Sequence, residues 1–169
     1  MTRRAAVQKW IWYSLCALAL VLVQSLLLVR LRLWGVHPFL LPAIAVLPAT
    51  LERDEAALAF AAFFGLVCDL LMPVSGLPCF YTLAFLLGGG AAWLLSGRLV
   101  AAGLVCSLAA AAAALLLCGV LHLAVLTGKM PVTAADAAVL WGKEALLSLP
   151  LTPLAHYPYR KICLAAGQD

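Results

Sequence analysis

Long apolar runs separated by short polar segments fill most of the chain, and no other feature limits its fold as strongly. A run of about 20 apolar residues can cross the hydrocarbon core of a membrane as a helix. In lipid every backbone N–H and C=O must be paired within the protein, which favours helices. We therefore expect an all-α polytopic membrane protein with six transmembrane helices in one bundle. The predicted spans are about 10–29, 37–51, 56–72, 77–95, 99–126 and 137–157.

The composition agrees with a membrane protein. Hydrophobic residues make up 66% of the chain, charged residues make up 11%, and the mean hydropathy is +1.10. A soluble domain has about 45–50% apolar and about 25% charged residues. Six spans leave only short loops in 169 residues, so residues 1–169 are predicted to form a single membrane domain.

The first apolar run has a competing interpretation as a signal peptide, because Ala17-Leu18-Ala19 resembles a cleavage site. The run continues for ten residues past that site, which is longer than the apolar region of a typical signal peptide. This length favours a first membrane span.

The distribution of basic residues predicts the orientation, because cytoplasmic segments carry an excess of Lys and Arg. With six spans and an inner N-terminus, the inner segments hold Arg3, Arg4, Lys9, Arg53, Arg98, Arg160 and Lys161, and the outer segments hold Arg30, Arg32 and Lys129. Both termini are therefore expected in the cytoplasm.

Asp69 is a lone carboxylate within the third predicted span, four residues after Gly65. A carboxylate costs roughly 2.5–3.5 kcal/mol at the centre of a membrane helix and usually faces the bundle interior. Lys143 is its predicted partner at a similar depth, since pairing lowers the desolvation cost; His122 is another base within reach. Without such a pair, Asp69 would accept hydrogen bonds from backbone amides of the turn at 73–76, or face a partner protein.

Four ionisable residues, Asp69, His122, Lys143 and Glu144, are predicted to lie in the outer half of the membrane. Lys143 and Glu144 are adjacent and point about 100° apart on a helix, so only one of them can face a given partner. A proton or ion relay is the alternative to structural pairing. It would normally need acids or histidines across the whole membrane thickness, and the inner half has none.

The fifth predicted span carries small residues four apart, at Gly103, Ser107 and Ala111. Small residues at this spacing allow two helices to approach closely. We expect this stripe to be a helix–helix contact.

The charged segment Glu52-Arg53-Asp54-Glu55 lies just before the third span. Its acids suit the N-terminal end of the next helix, where the helix dipole favours negative charge. Docking of a cytoplasmic partner is the alternative.

No motif indicates an enzyme or a cofactor. The chain has no GxSxG, HExxH or phosphate-binding glycine loop, so catalytic and cofactor-binding residues are not expected. The histidines His37, His122 and His156 lack the spacing of a metal site. The six cysteines show no CxxC spacing, and the scattered basic residues form no nucleic-acid patch.

The order of several features resembles the MreD family, the rod shape-determining membrane proteins of bacteria. Pro38 opens the second span, Gly65-Leu66 precedes Asp69-Leu70, and Gly76-Leu77 follows a short turn. The resemblance covers about residues 38–90 and implies a non-enzymatic protein of the bacterial plasma membrane. It also implies that MreC is the partner, within a cell-elongation machinery that contains the MreB filament, RodA and a class B penicillin-binding protein. The adjacent Lys143-Glu144 pair departs from the family pattern.

The family is also similar in fold to the substrate-binding subunits of energy-coupling-factor transporters, which supply an alternative function. That function requires a polar, aromatic-lined outer cavity. It also requires a face of small residues on the first span for the coupling subunit. The first span is rich in Leu, Val and Ile, with Ala17 and Ala19 only two apart, and this favours the assembly function.

Overall fold

α-Helices form nearly all of the regular structure in the computed structural model, which describes residues 3–52, 54–72, 78–98, 103–126 and 133–166. They are α1 (Arg3–Leu26), α2 (Leu41–Leu51), α3 (Glu55–Leu71), α4 (Phe80–Arg98), α5 (Leu104–Leu126), α6 (Ala134–Ser148) and α7 (Thr152–Ala166). Short 3-10 turns occupy Leu28–Arg30 and Leu149–Leu151. The prediction of an all-α fold is confirmed for the described residues.

Two helical segments, Ala6–Arg30 and Leu104–Ala124, are long and apolar enough to cross a membrane. Their mean hydropathies are 2.1 and 2.5. The helices Leu41–Leu51 and Phe80–Ser96 are apolar but shorter. Two such helices are a limited indication of a membrane protein, and the described residues do not confirm the six predicted spans.

α2 lies at the centre of the helical packing, against α1, α3, α4, α5 and α7. Every residue from Leu41 to Thr50 is buried. With 11 residues, α2 is only about 16 Å long at 1.5 Å per residue. The predicted span 37–51 is therefore helical only in its second part. Pro42 is tolerated because it lies in the first turn, where backbone N–H groups have no partner within the helix.

The helical region that contains the last predicted span, 137–157, is longer than that span and is interrupted. α6 packs against α5, whereas α7 packs against α1, α2 and α5. The helix is broken at Leu149–Leu151, where Pro150 lies in the 3-10 turn. Pro153 follows in the first turn of α7, and Pro158 is accommodated inside that helix. The prolines therefore redirect the helical chain but do not end it.

Glycines allow α4 to pack closely against its neighbours. A Cβ atom on Gly88 would lie 3.2 Å from both Ala114 of α5 and Val46 of α2, and one on Gly89 would lie 3.1 Å from Ala61 of α3. These contacts bring the backbone of α4 close to three helices at once. α4 therefore has a fixed position against α3, which is where the first candidate site lies.

Candidate functional site

The Asp69 carboxylate accepts three hydrogen bonds from the first turn of α4. Its Oδ1 accepts from the Tyr81 N–H at 2.8 Å, and its Oδ2 accepts from the Thr82 N–H at 2.9 Å. The Thr82 hydroxyl also donates to Oδ2, at 2.7 Å. These bonds tie the last turn of α3 to the first turn of α4. We call Gly65, Asp69, Tyr81 and Thr82 the α3–α4 latch.

Asp69 acts as an N-cap supplied by another helix. The residue before α4 is Cys79, whose carbonyl accepts the first bond of the helix, from Leu83 N–H at 3.0 Å. Cys79 has a positive φ of 62°, and its thiol is a poor substitute for the Ser, Thr, Asp or Asn that usually caps a helix. The Tyr81 and Thr82 amides are the second and third of α4, which a capping side chain normally satisfies. The negative charge also suits the N-terminal end of the helix dipole.

Gly65 allows this arrangement because it leaves room for the backbone of α4. A Cβ atom at Gly65 would lie 2.6 Å from Thr82 Cα and 2.7 Å from the Tyr81 carbonyl oxygen. Such distances are too short for any side chain, so a larger residue would force the helices apart. Gly65 and Asp69 are four residues apart and hence on the same face of α3. The pair therefore brings the two backbones together and then bonds them.

The structure corrects the predicted pairing of Asp69 with Lys143. These two residues form no ion pair, and Lys143 is exposed. The ion pair among the described residues joins Lys9 and Glu52, with Nζ 2.9 Å from Oε2. Tyr13 donates a further hydrogen bond to Glu52 Oε1 at 3.0 Å. Asp69 needs no base because the N–H and O–H groups of α4 already solvate its charge.

Glu144 and His122 lie on a separate cavity of about 220 Å³. The cavity lies between the start of α4, the second half of α5, and α6. Its lining residues are Phe39, Phe80, Tyr81, Cys118, His122, Trp141 and Glu144. Glu144 faces this cavity and the neighbouring Lys143 is exposed, in line with the expectation that only one of the two faces a given partner.

Aromatic rings form a continuous chain around this cavity. The Phe39 and Tyr81 rings have centroids 6.3 Å apart, and Tyr81 contacts Phe80 at 5.2 Å. Phe80 meets the His122 ring edge-to-face at 5.6 Å, and His122 lies 5.1 Å from Trp141. Tyr81 therefore belongs to both sites: its backbone is held by Asp69 and its ring lines the cavity.

Ser107 joins three helices through a buried polar network. Its hydroxyl lies 3.1 Å from Thr50 Oγ1 of α2 and 2.8 Å from His156 Nδ1 of α7. Thr50 Oγ1 also donates to the Leu47 carbonyl at 2.8 Å. Ser107 and Ala111 are fully buried, whereas Gly103 is half-buried just before α5. Two residues of the small-residue stripe therefore do lie in a helix–helix contact, and Ser107 adds hydrogen bonds to it.

Gly76, the remaining candidate of the family motif, lies outside the described residues.

Several important residues were not identified from the sequence. The donors to Asp69 are mostly backbone amides, which no side-chain pattern marks. His156 was assigned to the end of a span, although it lies 4% exposed inside α7. Trp141, an aromatic residue three positions before Glu144, is the one feature of the sequence that could have indicated the cavity.

Comparison with protein-family models, with curated proteins and with solved structures gives no match to this chain.

Proposed function

We propose that this protein is a non-enzymatic assembly protein of the bacterial plasma membrane, of the MreD type, which supports cell shape and lateral wall synthesis by binding MreC. The proposal places it with RodA, a class B penicillin-binding protein and, indirectly, the MreB filament. Six spans with both termini in the cytoplasm are part of the same proposal. The α3–α4 latch supports it, since Gly65 and Asp69 belong to the family-like motif and have a structural role.

The observation that carries the proposal is an apolar groove of about 830 Å³ between α1 and α3. Its lining extends from Ala6 to Val21 on α1 and from Ala56 to Leu71 on α3. Of the described residues that line it, only Ser14 and Asp54 are polar. A small-molecule site has a few convergent polar groups that orient its ligand. A groove without them suits the apolar face of a partner helix.

The exposed surface of α1 supports a membrane location. Large apolar side chains cover it, and those more than half exposed outside the groove include Trp12, Leu22 and Leu26. A contiguous exposed apolar surface of this kind marks contact with lipid or with another protein. A helix that lies in lipid on one side and borders a groove on the other can meet a partner helix within the membrane.

Site-specific photo-crosslinking tests the groove directly. A photoreactive amino acid replaces Phe63, which lines the groove, or Val120, which lies on α5 away from it. The two positions are matched, with exposed fractions of 65% and 63%. In bacteria that produce this chain together with MreC, we expect a crosslink to MreC from position 63 and not from position 120. Equal yields from both, or no MreC product, would contradict the proposal.

Cysteine labelling tests the topology separately. In a background without the six native cysteines, Arg53→Cys should react from the cytoplasmic side and Ser75→Cys from the outer side. Reaction of both positions from the same side would exclude the six-span arrangement while leaving the MreC test unaffected.

The alternative, a substrate-binding subunit of an energy-coupling-factor transporter, is supported by the aromatic-lined cavity with Glu144. The exposed face of α1 argues against it, because large apolar side chains dominate the surface that a coupling subunit would contact. Co-purification from membranes discriminates between the two: the alternative predicts recovery of an ATPase-bearing coupling complex instead of MreC.

A further inference from the structure

The cavity between α4, α5 and α6 contains one charged group and no counter-charge. Among the described residues that line it, Glu144 is the only acid, and none is a Lys or Arg. Glu144 lines the cavity together with Tyr81 and Cys118. It forms no ion pair and no side-chain hydrogen bond with any described residue. A half-buried carboxylate in this state attracts a cation.

The walls of the cavity favour an organic cation over a metal ion. Aromatic faces carry the negative part of the ring quadrupole, and they attract ammonium groups, best of all at Trp. Four such side chains, Phe39, Phe80, Tyr81 and Trp141, line the cavity. Among the described residues no three His, Cys, Asp or Glu side chains come together as metal ligands, even though Cys118, His122 and Glu144 all line this cavity.

The size of the cavity limits the ligand to a small one. Its 220 Å³ corresponds to about seven water molecules at roughly 30 Å³ each. Drug-sized ligands occupy pockets of about 300–1,000 Å³. Five lining residues are half-buried and reach the surface, namely Phe39, Tyr81, His122, Trp141 and Glu144. A small ligand can therefore enter without a rearrangement of the buried Phe80.

We propose that this cavity binds a small organic ammonium ion, with its charge against the Glu144 carboxylate and its apolar body against Phe80, Tyr81 and Trp141. His122, between Phe80 and Trp141, supplies a hydrogen-bonding group to a hydroxyl or amine hydrogen of the ligand. The inference does not rest on the assembly function. It would add a ligand to that function, and it would define the substrate class of the alternative one.

Isothermal titration calorimetry on the full chain in lipid nanodiscs tests the proposal. The probes are choline, ethanolammonium and phenethylammonium, together with the uncharged carbon analogue of choline. We expect at least one of the cations to bind, and to bind about tenfold or more tightly than the uncharged analogue, because only the cation gains from Glu144 and from the aromatic faces. No binding by any of the three cations, or equal binding of choline and its uncharged analogue, would overturn the proposal.

Two pairs of variants assign the binding to this cavity. Glu144→Gln keeps the side-chain shape and should weaken cation binding about tenfold or more, whereas Lys143→Gln, on the exposed side of α6, should not. Trp141→Leu should weaken it as well, whereas Trp93→Leu, on α4 outside the cavity, should not. Gel filtration confirms that each variant is folded before titration. Unchanged affinity in folded Glu144→Gln protein would place the cation elsewhere and overturn the assignment. The crosslink of position 63 to MreC is scored independently.

Discussion

Asp69 and Glu144 are both half-buried carboxylates on largely apolar helices, but they differ in what surrounds the charge. Asp69 accepts three hydrogen bonds within 2.9 Å from the first turn of α4. Glu144 accepts none through its side chain from the described residues and faces a cavity. The Asp69 carboxylate is already engaged in hydrogen bonds within the fold, whereas the Glu144 carboxylate remains available to a ligand. An acid in an apolar segment is therefore a candidate for ligand binding only if hydrogen-bond donors of the fold do not already satisfy its carboxylate.

The largest effect is expected for Asp69→Ala, which leaves the Tyr81 and Thr82 amides without their acceptor. Each unsatisfied buried amide costs about 1–3 kcal/mol, so the free energy of unfolding should fall by about 3 kcal/mol. Thermal unfolding in detergent measures the change. Leu70→Ala is the control, because Leu70 is 77% exposed on the same helix. Equal stability of the two variants would show that the latch contributes nothing.

Gly65→Ala should come next, with a loss of about 2 kcal/mol, because its Cβ would lie less than 3 Å from the backbone of Tyr81 and Thr82. Gly90→Ala is the matched control, since nothing lies within 4 Å of a Cβ there. The control should be neutral or slightly stabilising, as alanine favours a helix over glycine. A tolerated Gly65→Ala would mean that α4 can move away from α3 without cost.

Ser107 extends the comparison to an uncharged group. Its hydroxyl, like the Asp69 carboxylate, is already hydrogen-bonded within the fold. Ser107→Ala should lower the free energy of unfolding by about 1 kcal/mol, because it removes bonds to Thr50 and His156 in the buried network. Ser25→Ala, which removes an exposed hydroxyl bonded only within its own helix, should change stability by less than about 0.5 kcal/mol. The same unfolding assay would contradict this expectation if the two serine variants behaved alike.

The smallest effect is expected for Glu144→Gln in the absence of ligand. Because the carboxylate has no donor or base to lose, the free energy of unfolding should change by less than about 0.5 kcal/mol. Asp69→Asn, the same chemical change at the latch, should be clearly destabilising, since one oxygen acceptor becomes an NH₂ donor opposite other donors. A large loss in Glu144→Gln would make Glu144 a second structural acid.

The structure places Gly65 and Asp69, two residues singled out from the sequence, at the contact between α3 and α4, but the predicted ion pair of Asp69 with Lys143 is not formed. A lone acid beside a glycine in an apolar run is visible as a pattern. The donors are not, because every residue except proline has an N–H and only the fold brings those of Tyr81 and Thr82 to Asp69. Lys143 was predicted as the partner because of its similar depth in the membrane. Depth does not determine which side of α6 faces the other helices.

The C-terminal region shows a second reason why prediction from sequence stops short. The last predicted span ends at residue 157, yet α7 has Pro153 in its first turn, runs to Ala166 and places His156 beside Ser107. Proline at a helix start loses nothing, since the first amides have no partner there. Whether a proline ends a helix or begins the next one is decided by packing of the following residues, here against α1, α2 and α5.

The complete burial of α2 has a consequence for biogenesis. Of the helices that enclose it, only α1 precedes it in the chain, whereas α3, α4, α5 and α7 are synthesised later. At about 5–20 residues per second, the ribosome needs roughly 4–15 s to proceed from the end of α2 to the end of α5. During that interval a short helix without its own lipid-facing surface waits for its packing partners. An insertase or a protease that inspects unfinished chains would therefore find α2 with most of its packing partners still missing.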